Sequence, residues 1–291
     1  MRALIGPAII VAAASLVVAQ EQSGDQTRQI VAEEFAKARP KATSTATKTT
    51  TYRVKKGSGA QGAQGSVELG VTVWRLREQK TPAPDSRLLI QDENAVSWMP
   101  ERLDAEAGLA IGDRVRLSFE SPRAGYLYVL DREEFADGTK SPAYLIFPTS
   151  RTRGGDNGVR AGRLVEIPAR EDRPSYFTVR RSRPDQVAEV LSAIVSATPI
   201  AELPSVDRAT AIPAPTVAKW DAAWSAPTEE LVQAGSASRG WSEQEARAGA
   251  DAERLLTQDD PMPQTIYRVR PKPGQPLLVH IRLPYGATQK Q

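Results

Sequence analysis

The 291-residue chain has no cysteine, which excludes disulfides, thiol nucleophiles, Cys-ligated zinc and iron–sulfur clusters. It has one histidine. Metal sites built on two imidazoles are therefore excluded, and His280 is left as the only imidazole for acid–base chemistry. The hydrophobic fraction of 40% suffices for a core but is low for a long globular enzyme, so part of the chain is expected to stay unpacked. Lys and Arg (38) nearly balance Asp and Glu (35). No cofactor is expected, and no nucleic-acid partner.

What is present begins with an apolar N-terminus. Arg2 is followed by an apolar or small-residue run from Ala3 to Val18, broken by Ser15. Val17-Val18-Ala19 places small residues at the −3 and −1 positions of a cleavage site, and Gln20-Glu21-Gln22 turns polar. This is the signal-peptide pattern, so residues 1–19 are expected to be removed on export. The competing reading is an uncleaved anchor. The run is at the short limit for about 30 Å of hydrocarbon, and Gly6-Pro7 weakens it as a helix. No second long apolar stretch follows, so no membrane span is expected after cleavage, and the destination is periplasmic or extracellular. Residues 20–65 read as a disordered basic arm. Lys41–Thr51 is a Thr/Ala/Ser/Lys tract, 57–65 is rich in Gly, and 37–56 holds seven basic residues and no acid. A short helix around 29–38 would put Val31, Ala32 and Phe35 on one face.

From Ser66 the texture becomes alternating. Val67, Leu69, Val71 and Val73 sit two apart, with Trp74 and Leu76 on the opposite face. Val115, Leu117 and Phe119 repeat the pattern, with Arg114, Arg116, Ser118 and Glu120 on the other side, as in a half-buried strand. Further runs are 125–130, 143–147, 164–167 and 176–179. Ser121–Gly125 reads as a tight hairpin turn with Gly125 at positive φ. The segment Ser182–Ser196 spaces Val187, Val190, Leu191, Ile194 and Val195 as a helical stripe and is expected to be the one packed helix. Pro199, Pro204, Pro213 and Pro215 then suggest a linker. Weaker helices are expected at 216–224, carrying Trp220 and Trp224, and from the capping box Ser242–Glu245 to about Leu256. Strands at 265–270 and 277–283 close the chain. The expected architecture is mainly β with α: an antiparallel β-sandwich-like domain over 66–200, a Pro-rich linker and helical insertion over 201–263, and C-terminal strands 264–291 rejoining the sheet.

Few motifs point to chemistry. Residues 57–62 match a dinucleotide fingerprint by letter, but a strand follows where a helix should. Asp131, Glu133, Glu134 and Asp137 cluster after a strand. An EF-hand would need oxygen and glycine where Phe135 and Ala136 stand, and a polar loop is the plainer reading. No Gly-x-Ser-x-Gly occurs, and His280 alternates with apolar residues as a strand-surface group. No spacing singles out a carboxylate pair for glycoside hydrolysis. Charge is segregated: 151–183 carries nine Arg against four acids, and 221–260 nine acids against three Arg. Either the acidic segment lies across the basic one, or the basic face meets an anionic envelope polymer.

The stretch from Ile111 to Leu130, with its Gly112-Asp113 turn and Gly125-Tyr-Leu-Tyr-Val129 strand, resembles the exported bacterial family known as domain of unknown function 4384. So do Gly70–Arg77, Phe147-Pro148, Ile167-Pro168 and Tyr176–Val179. The resemblance spans roughly 66–199. It implies a β-rich accessory domain and carries no catalytic residues. The expected function is an exported, non-enzymatic binding or assembly module of the cell envelope. It would meet a protein partner or anionic polymer through a sheet edge, the Arg-rich loop (Arg151, Arg153, Arg160, Arg163) and an exposed Tyr126 or Tyr128. The alternative is an envelope hydrolase using paired carboxylates.

Overall fold

A computed structural model describes residues 31–41, 50–56, 65–80, 89–92, 94–104, 107–251 and 254–286. The expected signal peptide, the Gly-rich 57–62 motif and most of the basic arm lie outside these residues. Within them the elements run, in chain order, as helix α1 (31–37), β1 (Tyr52–Lys56), β2 (Val67–Glu78), β3 (Ile90–Gln91), β4 (Ser97–Arg102), β5 (Arg114–Glu120), β6 (Gly125–Phe135), β7 (Ala143–Phe147), β8 (Gly158–Val159), β9 (Leu164–Ile167), β10 (Phe177–Thr178) and β11 (Gln186–Ser196). Then follow β12 (Thr210–Ile212), α2 (Ala214–Trp224), β13 (Thr228–Gln233), α3 (Glu243–Ala250), β14 (Thr265–Val269) and β15 (Leu277–Pro284).

Two antiparallel sheets pack face to face. In sheet I the long strand β2 pairs with β14 and β4 along one side and with β5 along the other. β13 and then β1 extend the sheet beyond β14, while β9 and β10 add to β5. Sheet II has the order β12-β7-β6-β11-β15, with β8 on β6. The core between them is filled by the alternating residues read from the sequence. Leu69, Val71, Val115, Leu117 and Phe119 of sheet I meet Leu127, Val129, Leu191, Val279 and Ile281 of sheet II. Removing that apolar area from water is the main stabilising contribution, at about 25 cal/mol per Å².

Three expectations are corrected. The stretch expected as the packed helix is the central strand β11, flanked by β6 and β15. Both of its faces are covered, so apolar residues fall on both, at seven of its eleven positions, and such a run contains helical spacings by accident. Ser121–Gly125 is no hairpin, because β5 and β6 belong to different sheets and the segment arches between them. Gly125 is needed there for close approach, since a Cβ would collide with the Ser196 carbonyl oxygen. Residues 201–263 are not a separate insertion either. β12 joins β7 in sheet II, and β13 lies between β1 and β14 in sheet I. In the arm, the expected helix is α1, with Val31, Ala32 and Phe35 buried, and Tyr52 of β1 is buried beside them. The described parts of the arm are therefore ordered elements of the fold.

The outer faces are also covered. Trp220 and Val217 of α2 pack on Tyr128, Leu145 and Ile194 of sheet II. α3 begins at the expected capping box, with Ser242 and Glu245 bonded reciprocally, but ends at Ala250 rather than near Leu256. The outer face of β5 is buried rather than half-exposed, and three pairs of charges fill it: Arg39–Glu120, Arg116–Glu166 and, from β4 to α3, Arg102–Glu245. Among the described residues no helix is long and apolar enough to cross a membrane.

Candidate functional site

The Arg-rich loop does not form a single cradle. Arg151 and Arg160 are exposed, while Arg153 and Arg163 are partly buried. Arg153 turns inward on its own loop, with Nε donating to the Asp156 carbonyl and the guanidinium 3.6 Å from the Asp156 carboxylate. Tyr128 is 2% exposed, and its hydroxyl accepts from the Ile200 amide at 2.8 Å. Tyr126 is half-buried against the same apolar cluster. Of the two tyrosines, Tyr128 is therefore closed to a partner, while Tyr126 keeps part of its surface.

Two other regions gather chemistry. The first is the free edge of sheet II. Among the described residues no strand pairs with β15 on the side away from β11, and only its last residue is met there, by the Leu109 amide donating to the Pro284 carbonyl at 2.7 Å. Sheet I overhangs that edge with β14, β13 and β1, and a groove of about 700 Å³ runs between them. Its walls are Thr228, Glu230 and Tyr267 on one side and His280 and Arg282 on the other, with Lys55 at the rim. His280 faces outward from β15, as its alternation implied. Its Nδ1 lies 3.0 Å from Ser192 Oγ, and its Nε2 lies 3.4 Å from Asp221 Oδ1 on α2. Burial alone would raise the Asp221 pKa, but the His280 hydrogen bond and the Arg132 charge outweigh it and the net shift is downward.

This Ser–His–Asp line is a poor nucleophilic machine. Ser192 is 4% exposed, in the middle of a strand paired on both sides. The nearby backbone N–H groups serve the sheet ladder, so no donors are free to hold an oxyanion. Asp221 is also shared with Arg132 at 3.5 Å. The set ties α2 to the sheet.

The second region lies where the inner face of sheet II turns acidic. Leu127 and Val129 of β6 are followed two by two by Asp131 and Glu133, and Leu191 of β11 is preceded by Glu189. The register sets Glu189 opposite Glu133 and Leu191 opposite Asp131. These carboxyls line a cleft of about 290 Å³ whose far wall is Val115, Leu117 and Phe177 of sheet I. Gln186 Nε2 donates to Glu189 Oε1 at 2.8 Å, and the Tyr285 hydroxyl lies 2.8 Å from the same oxygen. Desolvation, aided by the Glu133 charge, pushes the Asp131 carboxyl up to about 6. Desolvation and the Asp131 charge push Glu189 up to about 7. The expected polar loop at 131–134 is thus part of β6. Alternation from Val129 to Asp131 carried the signal for this cleft, but Glu189 could not be placed while 182–196 was read as a helix. Among the described residues no group of three or more His, Asp or Glu could hold a metal ion.

No family model, curated protein or solved structure matches the chain.

Proposed function

We propose that the protein is an exported, non-enzymatic assembly module of the cell envelope that takes an extended segment of a protein partner as an added strand on β15. The observation that carries this reading is the edge of β15 from Leu277 to Arg282, open on the side away from β11 and facing a groove beneath the overhanging strands β13 and β14. An unpaired strand presents a row of backbone donors and acceptors, a ready template for one more strand. The overhang supplies a wall against which alternate side chains of that strand would pack. Export rests on the N-terminal pattern of residues 1–19. The resemblance over 66–199 covers β2 to β11, in keeping with an accessory β domain.

The test is site-specific photocrosslinking in intact cells from His280 and from Thr228, on opposite walls of the groove, with Arg151 and Arg160 as loop controls. One partner crosslinked from both walls and not from the loop supports strand addition. Crosslinks from the loop alone would transfer the function to the Arg-rich segment and end this reading.

The hydrolase alternative has one observation in its favour, the raised carboxyls Asp131 and Glu189. Glycoside hydrolysis needs two carboxyls flanking the scissile bond from opposite sides. Here both stand on one face of one sheet, and the opposing wall is apolar.

A further inference from the structure

Buried acids of this fold are paired with guanidinium groups. Glu120 meets Arg39 and Glu166 meets Arg116, each at 2.6 Å, Glu245 meets Arg102 at 2.7 Å, and Asp260 meets Arg254 at 2.6 Å. Asp131 and Glu189, both partly buried, have no such partner. Neither forms an ion pair with a described residue, and Asp131 Oδ1 and Glu189 Oε2 are sealed from solvent with no hydrogen-bond partner. Both side chains line the 290 Å³ cleft. Every charged neighbour leaves the deficit in place. Glu133 adds a third carboxyl and accepts from Ser182 Oγ at 2.5 Å. Arg180 is exposed at the rim, and Arg181 lies 4.4 Å over the Tyr285 ring instead of on an acid. The Tyr285 hydroxyl is a neutral donor, with its pKa raised by burial and by Glu189.

Carboxyl oxygens left without partners in a low-dielectric site are costly unless a ligand supplies the missing donors and charge. N–H donors on a positive group would satisfy them best. The apolar wall of Val115, Leu117 and Phe177 asks for a hydrocarbon stem behind that charge. We propose that the cleft is a binding site for an organic cation, an ammonium or guanidinium on an apolar stem, with Asp131 and Glu189 accepting its N–H bonds. This site is independent of the β15 edge.

Isothermal titration of the full chain with butylammonium and butylguanidinium tests it, with butanol as the neutral probe and an acetylated Gly-Lys-Gly amide as a protein-borne ammonium. Cation binding should release protons at about pH 6 and tighten by about tenfold or more between about pH 5 and pH 8, because the carboxyls must ionise. The double variant Asp131→Asn/Glu189→Gln should lose about tenfold or more of the affinity while keeping a native melting transition. Binding of the peptide as well as the small cations would assign the ligand to a partner's side chain, and binding of the small cations alone to a free amine. Butanol binding as tightly as the cations, affinity that is flat with pH, or an undiminished double variant would each overturn the proposal. So would silence from every cation up to about 10 mM with the native fold intact.

Discussion

Arg102 of β4 reaches Glu245 of α3 at 2.7 Å, with both side chains almost wholly buried. The same guanidinium donates to Gln233 of β13 and to the Met262 carbonyl, so one side chain fastens α3, β13 and the segment leading to β14 onto sheet I. With Arg39–Glu120 and Arg116–Glu166, it makes the outer layer of sheet I a charged interior rather than a second oil drop.

Breaking such a pair leaves an uncompensated buried charge. Glu245→Ala should therefore destabilise the protein by about 3–5 kcal/mol, more than the double change Arg102→Met/Glu245→Leu, which removes both charges and restores apolar volume. Denaturant midpoints at constant slope measure both. A double variant no more stable than the single one would mean that Arg102 contributes through Gln233 and Met262 rather than through Glu245.

Gly249 explains why α3 tolerates a poor helix former in its interior. A Cβ at that position would collide with the Glu166 carboxylate, the partner of Arg116. Gly249→Ala gains helix propensity of about 1 kcal/mol, yet it should be destabilising by about 1–3 kcal/mol through overpacking. Thermal melting decides, and a raised Tm would show that α3 can shift outward from β9 freely.

The acidic cleft predicts an unusual pH profile. Folded-state pKa values raised above the ordinary 3.8 for Asp131 and 4.5 for Glu189 mean that the native state holds protons more tightly than the unfolded chain. Their contribution is complete below about pH 4 and is lost as pH rises through about 6 to 7. For Asp131 the loss is on the order of 3 kcal/mol. Asp131→Asn should then stabilise the free protein at about pH 8 and gain nothing at about pH 4. Unfolding curves of the two proteins across that range test it, and a gain that persists unchanged in acid would separate the effect from ionisation.

What the sequence made legible follows from how local each signal is. In β5, Val115, Leu117 and Phe119 alternate with polar residues, and that alternation alone states which face is inside. In β11 both faces are covered, so Val190, Leu191, Ile194 and Val195 fit a helix as well as a strand, and only the neighbours β6 and β15 decide. β13 reads Thr-Glu-Glu-Leu-Val-Gln and resembles a linker. Its acids are answered by residues distant in sequence, Glu229 by Arg268 at 3.7 Å and Glu230 by Lys55 at 3.6 Å. The acidic cleft was hidden for the same reason. Asp131 and Glu189 come together only through strand register, which local periodicity does not contain.

Ser192, His280 and Asp221 give the last prediction, because their distances invite a hydrolase reading that their surroundings oppose. Ser192 Oγ sits 3.0 Å from the imidazole, but it is sealed within a strand bonded on both sides. A nucleophile there could neither reach a carbonyl nor find donors for the oxyanion. The hydroxyl instead bonds His280, so Ser192→Ala should cost about 1 kcal/mol of stability, the usual loss for one hydrogen bond. A fluorophosphonate probe should leave the wild-type protein unlabelled. Labelling that disappears in Ser192→Ala would establish a reactive serine and overturn the structural role given to this residue.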